Sequence, residues 1–258
     1  IHTIHADRNR LQSNLNLVND VLGREPDEVV FTGIADFYGL ELIHEARPGV
    51  LVLSLGAGVT TYVLFHSNGC HHSGVLGVGM EHVANDLSVG LGISMQRARE
   101  LVRTAVSALR SLEATGRQVE VPMGIGREPL RFPLATVQEI AELRLREIFE
   151  VVREDLEHHE VLSHLGHGVT ISGGGALIPR LNELAQSVFG TPVRTGYPVN
   201  VTGLEEKFYS PRLVTPVGLC RVGEMMGRIS EHTPLPLGQQ LQEDLRSLWQ
   251  KMREGVRL

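Results

Sequence analysis

The apolar positions along this chain follow two different periods. Residues 50–55 (VLVLSL) and 60–66 (TTYVLFH) are almost continuously apolar or β-branched and predict two buried strands around a tight Gly56-Ala57-Gly58 turn. Shorter runs predict strands at 29–32, 74–78, 119–121, 130–132 and 168–172, and the alternation in residues 1–5 predicts a half-buried strand. Elsewhere the apolar spacing is three or four. Leu11, Leu15, Val18 and Leu22 share one face of a helix that Asp7 can cap and Gly23 can stop. Residues 80–91 and 95–112 read as helices. A long helix from about Leu134 towards His164 has Val137, Ile140, Ala141, Leu145, Ile148, Val151, Val152 and Leu156 as its buried stripe. Residues 177–188 form a further helix after the Gly173-Gly174-Gly175 turn. Strands mixed with helices, with glycine at the junctions, predict an α/β fold.

The last stretch has a pattern of its own. EHTPLPLGQQ, residues 231–240, carries two prolines and reads as a linker. In residues 241–258, at roughly 100° per residue, Leu241, Leu245, Leu248, Trp249, Met252 and Val256 fall within an arc of about 100°. Arg246, Arg253 and Arg257 flank that stripe on one side and Lys251 on the other, while Trp249 sits at its edge, where an indole meets lipid headgroups. This is the pattern of a surface-binding amphipathic helix, although a terminal helix packed on its own domain has a similar stripe. Glu243, Asp244 and Glu254 offset most of the four cations, so apolar burial would dominate any membrane attachment.

Composition narrows the function classes. The 258 residues are 42% hydrophobic and 21% charged, with material for a sizeable core. A net charge of −6 argues against a general nucleic-acid partner, which needs a basic face. Cys70 and Cys220 lie far apart and read as free thiols of a reducing compartment. The weakly polar run at 49–65 holds a central turn and reads as paired strands, not a membrane span. The chain opens on Ile1 within what looks like a strand in progress, and a preceding N-terminal part is expected.

The two glycine turns carry the candidate chemistry. A glycine turn after a strand presents backbone N–H groups to a phosphate, and glycine lets the backbone approach a flat base closely. Each turn alone is weak evidence, because tight connections use glycine for steric reasons. Together with GVGMEHVANDL, the long insertion, VFGTPVR (188–194), Gly203-Leu204 and SPRLVTPVGL (210–219), they resemble the actin-like ATPase superfamily, and within it the bacterial cell-division FtsA family. The resemblance covers essentially the whole chain but only the second half of the family's architecture.

The resemblance implies an actin-like (ribonuclease H-like) second lobe, ATP and Mg2+ in a cleft, filament formation and peripheral attachment to the cytoplasmic face of the cell membrane at the division site. It also implies a division of the chain. Residues 1–47 would be the tail of the first lobe, and 48–92 plus 166–230 the second-lobe core. Residues 93–165 would form an inserted subdomain, 231–240 a linker and 241–258 the membrane-targeting helix. Gly56 and Gly58 match the second phosphate loop, and Gly173, Gly174 and Gly175 the adenosine loop. The family's Asp-x-Gly-Gly-Gly-Thr motif has its Asp at Ser54, its middle Gly at Ala57 and its Thr at Val59. Ser54 cannot supply the charge that organises a metal-bound water. The family's ribose-binding Glu and Lys fall at Arg99 and Val102, and only a one-residue slip would bring in Glu100 and Arg103. The expectation is a main-chain cradle with weak nucleotide binding and slow or absent hydrolysis. In this family the inserted subdomain receives the C-terminal tail of FtsZ, which makes Arg144 and Arg127, with Arg131 beside them, candidate contacts.

Two other function classes fit parts of the sequence, an actin-fold small-molecule kinase and an actin-like pilus-assembly protein resembling PilM. No G-x-S-x-G elbow marks a serine hydrolase. Of the twelve histidines, His71-His72 follows Cys70, and His158, His159, His164 and His167 cluster near the end of the long helix. Without HExxH or CxxC spacing they read as a solvated helix end, and no metal site is expected. Glu154, Asp155, Glu157 and Glu160 read as a solvated acidic face.

Overall fold

Asp7 opens the first helix, α1 (Arg8–Leu22): its carboxylate accepts the Arg10 N–H at 2.9 Å, and Gly23 closes the helix at φ 68°. The computed structural model describes residues 2–67, 69–110, 114–124, 128–203, 205 and 209–232. None of the α1 residues is buried. Residues 2–7 make no strand, contrary to the alternation; His2 instead bonds Ser73 through its side chain at 2.8 Å, with no backbone ladder.

The predicted strand at 29–32 is also absent, and α2 (Thr32–Gly39) takes its place. The Phe31 carbonyl accepts the N–H groups of Ile34 and Ala35, at 3.0 and 3.1 Å, and starts the helical ladder. Its glycine then permits close packing: a Cβ on Gly33 would stand 2.1 Å from Val63 Cγ2.

Three antiparallel strands follow, β1 (Val50–Leu55), β2 (Thr60–His66) and β3 (Gly69–Leu76). β3 begins well before the predicted 74, so Cys70-His71-His72 lies in a strand. Next come α3 (Met80–Leu91), α4 (Met95–Thr104), the hairpin β4 (Gln118–Val121) with β5 (Leu130–Pro133), and α5 (Leu134–His158). β6 (Val169–Ser172), α6 (Leu181–Phe189), β7 (Val193–Thr195) and α7 (Val214–His232) complete the order. The main sheet runs β3-β2-β1-β6-β7, with β6 and β7 parallel to β1.

Alternation along the strands divides the core. Leu51, Leu53, Leu55, Tyr62 and Leu64 face α3, α5 and α6, whose buried residues include Leu87, Phe149 and Leu184. Val50, Val52, Val63 and Phe65 face α2 and the start of α7. Phe37 stacks on Phe65 there with ring centroids 3.6 Å apart.

Helix ends depart from the apolar pattern where tertiary bonds intervene. α4 stops at Thr104, eight residues before the predicted end, because Ala108 N–H turns aside to the Pro179 carbonyl at 2.9 Å. α6 begins at Leu181, not 177: the residue before Pro179 is pushed to an extended backbone, and Ile178 has ψ 126°. α5 ends at His158, six residues short of the expected limit, and buries Phe149 where Val151 was expected. Glu231 and His232, the first residues of the predicted linker, still belong to α7, and the rest of that stretch lies outside the described residues.

The chain divides into two compact units, residues 1–221 and 222–258, and of the second the described residues form the end of α7. No helix among the described residues is long and apolar enough to cross a membrane. The amphipathic stretch at 241–258, with Leu241, Leu245, Leu248, Trp249, Met252 and Val256, lies outside the described residues, as does Arg127.

Candidate nucleotide site

β1 ends in the turn at 56–59, where Gly56 N–H donates to the Val59 carbonyl at 3.0 Å. This turn is clamped to the start of α3: Met80 and Glu81 donate their N–H groups to the Gly56 and Ala57 carbonyls, at 3.0 and 2.8 Å. Two of the orphan donors of that helix are therefore committed to the loop and not to a ligand. The clamp needs Gly79, whose Cβ would stand 2.6 Å from the Ala57 oxygen.

The second turn leaves β6, the parallel neighbour of β1. Gly173, at φ 84°, would put a Cβ 2.6 Å from the Leu55 oxygen, and Gly175 would put one 2.4 Å from Leu55 Cγ. Both glycines are demanded by packing on the end of β1. Gly174 has room; its nearest neighbour is Arg212 Nε, 3.8 Å from where its Cβ would be.

Between the two turns lies a cavity of about 480 Å3 with Gly56 and Ala57 on one side and Gly174 and Gly175 on the other. Met80, Val102, Val106, Leu177, Ile178 and Pro179 supply apolar wall. Arg103 and Arg212 supply cations, and none of the described residues lining it carries a carboxylate. An apolar wall suits a flat base, and guanidinium groups suit phosphate oxygens or stack on rings. The lining fits a nucleotide and does not itself fit a hydrated magnesium ion, which takes carboxylate ligands.

Several of the residues singled out in the sequence stand differently. Gly173 lies beneath the cavity against Leu55, and Gly58 is exposed and outside the lining. Val102 reaches the cavity, while Ala98 and Leu101 are buried, so the helix register does not slip; Arg103 arrives at the rim in the unshifted register. Arg99 pairs with Glu81 at 2.8 Å. Ser54 is buried on the α2 side of the sheet, where its hydroxyl bonds Asp36.

Asp36 and Arg212 are absent from the set read from sequence. Asp36 is fully buried on α2 and accepts the Ser172 hydroxyl at 2.6 Å and the Thr215 hydroxyl, in addition to Ser54. Burial raises its pKa, and the three hydroxyls oppose that only in part. A carboxylate missing from the end of β1 thus stands one side chain behind it. Its only signal in sequence is a lone charge within GIADFYGL, residues 33–40. Arg212 has no comparable signal.

Arg144 is committed internally: it grips Asp86 of α3 through Nε at 2.6 Å and Nη2 at 3.2 Å, and also pairs with Glu147. Arg131 pairs with Glu120 across the β4–β5 hairpin at 3.0 Å. Asp155 is not part of a solvated face, because it accepts Tyr62 Oη and pairs with His72, each at 2.6 Å. Burial raises the Asp155 pKa, but these bonds and the nearby His159 outweigh it and hold it low. The same contact, after burial, pushes the Tyr62 phenol up. Cys70 and Cys220 are free thiols, with Cys70 pushed up by burial.

The mixed sheet with its two facing glycine turns defines the class: this is an actin-like ATPase fold. MreB5 of Spiroplasma citri bound to ADP superimposes with a TM-score of 0.67 at 17% identity, over 86% of this chain and 67% of that one. The PilM–PilN type IV pilus biogenesis complex gives 0.62 at 17%, over 84% and 58%. Within the class, residues 51–218 match the family model for cell division protein FtsA. FtsA of Escherichia coli (strain K12) is 30% identical over 231 residues, 87% of this chain and 55% of that protein. FtsA of Pseudomonas aeruginosa is 28% identical over 201 residues, 78% and 48%. The chain belongs to the FtsA family. It spans about half the length of the curated relatives it matches.

Proposed function

We propose that this chain is the second-lobe half of an FtsA-type scaffold that holds nucleotide mainly by backbone and arginine contacts and hydrolyses it slowly or not at all. The carrying observation is the cavity between Gly56-Ala57 and Gly174-Gly175, lined by Arg103 and Arg212 and, among the described residues, by no carboxylate. Adenine would rest against the apolar wall near Gly174 and the phosphates would meet the arginines and the Gly56 turn. ATP would bring its own magnesium, whose water this lining does not organise. Isothermal titration with ATP and Mg2+ should show weak binding, lowered about tenfold by Arg212→Ala, the usual scale for losing one charge-assisted hydrogen bond. Tight binding with ready phosphate release would overturn the reading.

The scaffold role follows from the family. The protein would tether FtsZ, and so the division ring, to the cytoplasmic face of the membrane through residues 241–258, and would self-associate into actin-like polymers. The FtsZ tail would dock on the inserted subdomain at Arg144 and Arg127, with a tail carboxylate exchanging for Asp86 at the Arg144 guanidinium. One short helix binds lipid weakly, so polymerisation would strengthen attachment by avidity.

A further inference from the structure

β3 is an edge strand, and its ladder with β2 slips by one residue: Leu64 pairs with His72, whereas Phe65 pairs with Cys70. His71 is the extra residue of this β-bulge, and a bulge re-aims the side chain it carries. In an unbroken strand His71 and His72 would point to opposite faces. Across the bulge both reach the α5 side, while Cys70 packs with the Phe37 cluster on the other. His72 meets Asp155 and His159, and His71 meets His66 and His164.

This second meeting joins three separate segments. The His66 and His164 rings stack at 4.5 Å and 8°, and His71 stands edge-on to them at 5.1 and 6.0 Å. One ring nitrogen from each lies within 4.8 Å of the others. Donors around a tetrahedral zinc ion lie about 3.3 Å apart, so modest ring rotations complete the approach. The backbone beneath is fixed. Gly166 and His167 donate to the Pro48 and Gly49 carbonyls at 3.1 and 2.7 Å. A Cβ on Gly49 would strike the His164 carbonyl at 1.7 Å.

The cluster also has a polar atom without a use in the fold. His164 Nδ1 is buried with no hydrogen-bond partner among the described residues, a state that native structures rarely leave unexplained.

We propose that His66, His71 and His164 bind one divalent transition-metal ion of the zinc class, leaving an open coordination position for water. Three imidazoles with no carboxylate suit zinc, copper or nickel, and not magnesium or calcium. The neighbouring His72, Asp155 and His159 also come within reach of one another. There, however, Asp155 is engaged by Tyr62 and His72, which tie β2 and β3 to α5. The site lies apart from the nucleotide cavity and does not depend on it.

The test is titration of the full chain, free of any affinity tag, with Zn2+ by calorimetry and with Co2+ by visible absorption. One ion should bind per chain. His71→Ala and His164→Ala should each weaken binding about tenfold or more, and His159→Ala should leave it unchanged. His71 is exposed, so its variant should fold normally, and melting without metal checks this. Zn2+ should raise the melting temperature of the wild type but not of His71→Ala. Absence of both heat and cobalt bands up to about millimolar metal, far above the affinity of such ligand sets, would overturn the proposal. Binding that survives His71→Ala but is lost in His159→Ala would overturn it equally.

Discussion

Asp36 shows how one side chain can carry information that its neighbours in sequence do not. Its carboxyl lies between the ends of β1 and β6 under α2, fully buried and surrounded by the hydroxyls of Ser54, Ser172 and Thr215. Because burial raises its pKa, the native state keeps this proton to a higher pH than the unfolded chain, where Asp titrates near about 3.9. Between those two values the native state binds more protons, so stability falls as pH rises and stays lower above the native pKa. Urea unfolding followed from about pH 4 upwards should show the wild type losing ground to Asp36→Asn as pH rises. Parallel profiles would mean that the buried carboxylate ionises without penalty. The same residue marks a limit of motif reading: matched position by position, Ser54 looks like a lost charge, and only folding α2 beneath β1 reveals the carboxyl behind it.

At the scale of elements, the crossing of α2 and α7 is the feature most sensitive to a single atom. A Cβ on Gly39 would lie 2.2 Å from the Val214 oxygen, and one on Gly218 would lie 1.7 Å from the Ala35 oxygen. The two helices touch backbone to backbone, and the Arg221 guanidinium binds the Tyr38 carbonyl at 2.7 Å beside them. Gly218→Ala should destabilise the chain by about 1–3 kcal/mol, read from urea midpoints, because rigid backbone must move apart. An unchanged midpoint would show that the crossing has slack. Glycine at this density also hides α2 from periodicity, since it lowers helix propensity and removes apolar markers. By contrast β1, β2, α1, α3 and the start of α5 are legible residue by residue. Their apolar spacing and caps are local, and, apart from the apolar face of α1, which is not buried, the fold uses them as they stand.

For the whole molecule the expectation concerns attachment. If residues 241–258 are the proposed anchor, the chain should co-sediment with anionic vesicles, and Leu248→Glu with Trp249→Glu should release it, since apolar burial supplies most of the binding. Unchanged co-sedimentation would remove the anchor.

The sequence by itself determines the α/β class, the buried sheet centre, the two glycine turns and the family, because each is written in short-range patterns of apolar, glycine and proline residues. Tertiary structure decides which glycines serve a cavity and which serve packing, where α4 and α6 stop, and which charges meet. Those outcomes depend on contacts between segments far apart in the chain. Asp36 meets Ser172 across 136 positions, and His66 stacks on His164 only because the end of β2 and the segment after α5 meet at one end of the sheet. No window of neighbouring residues contains such a pair.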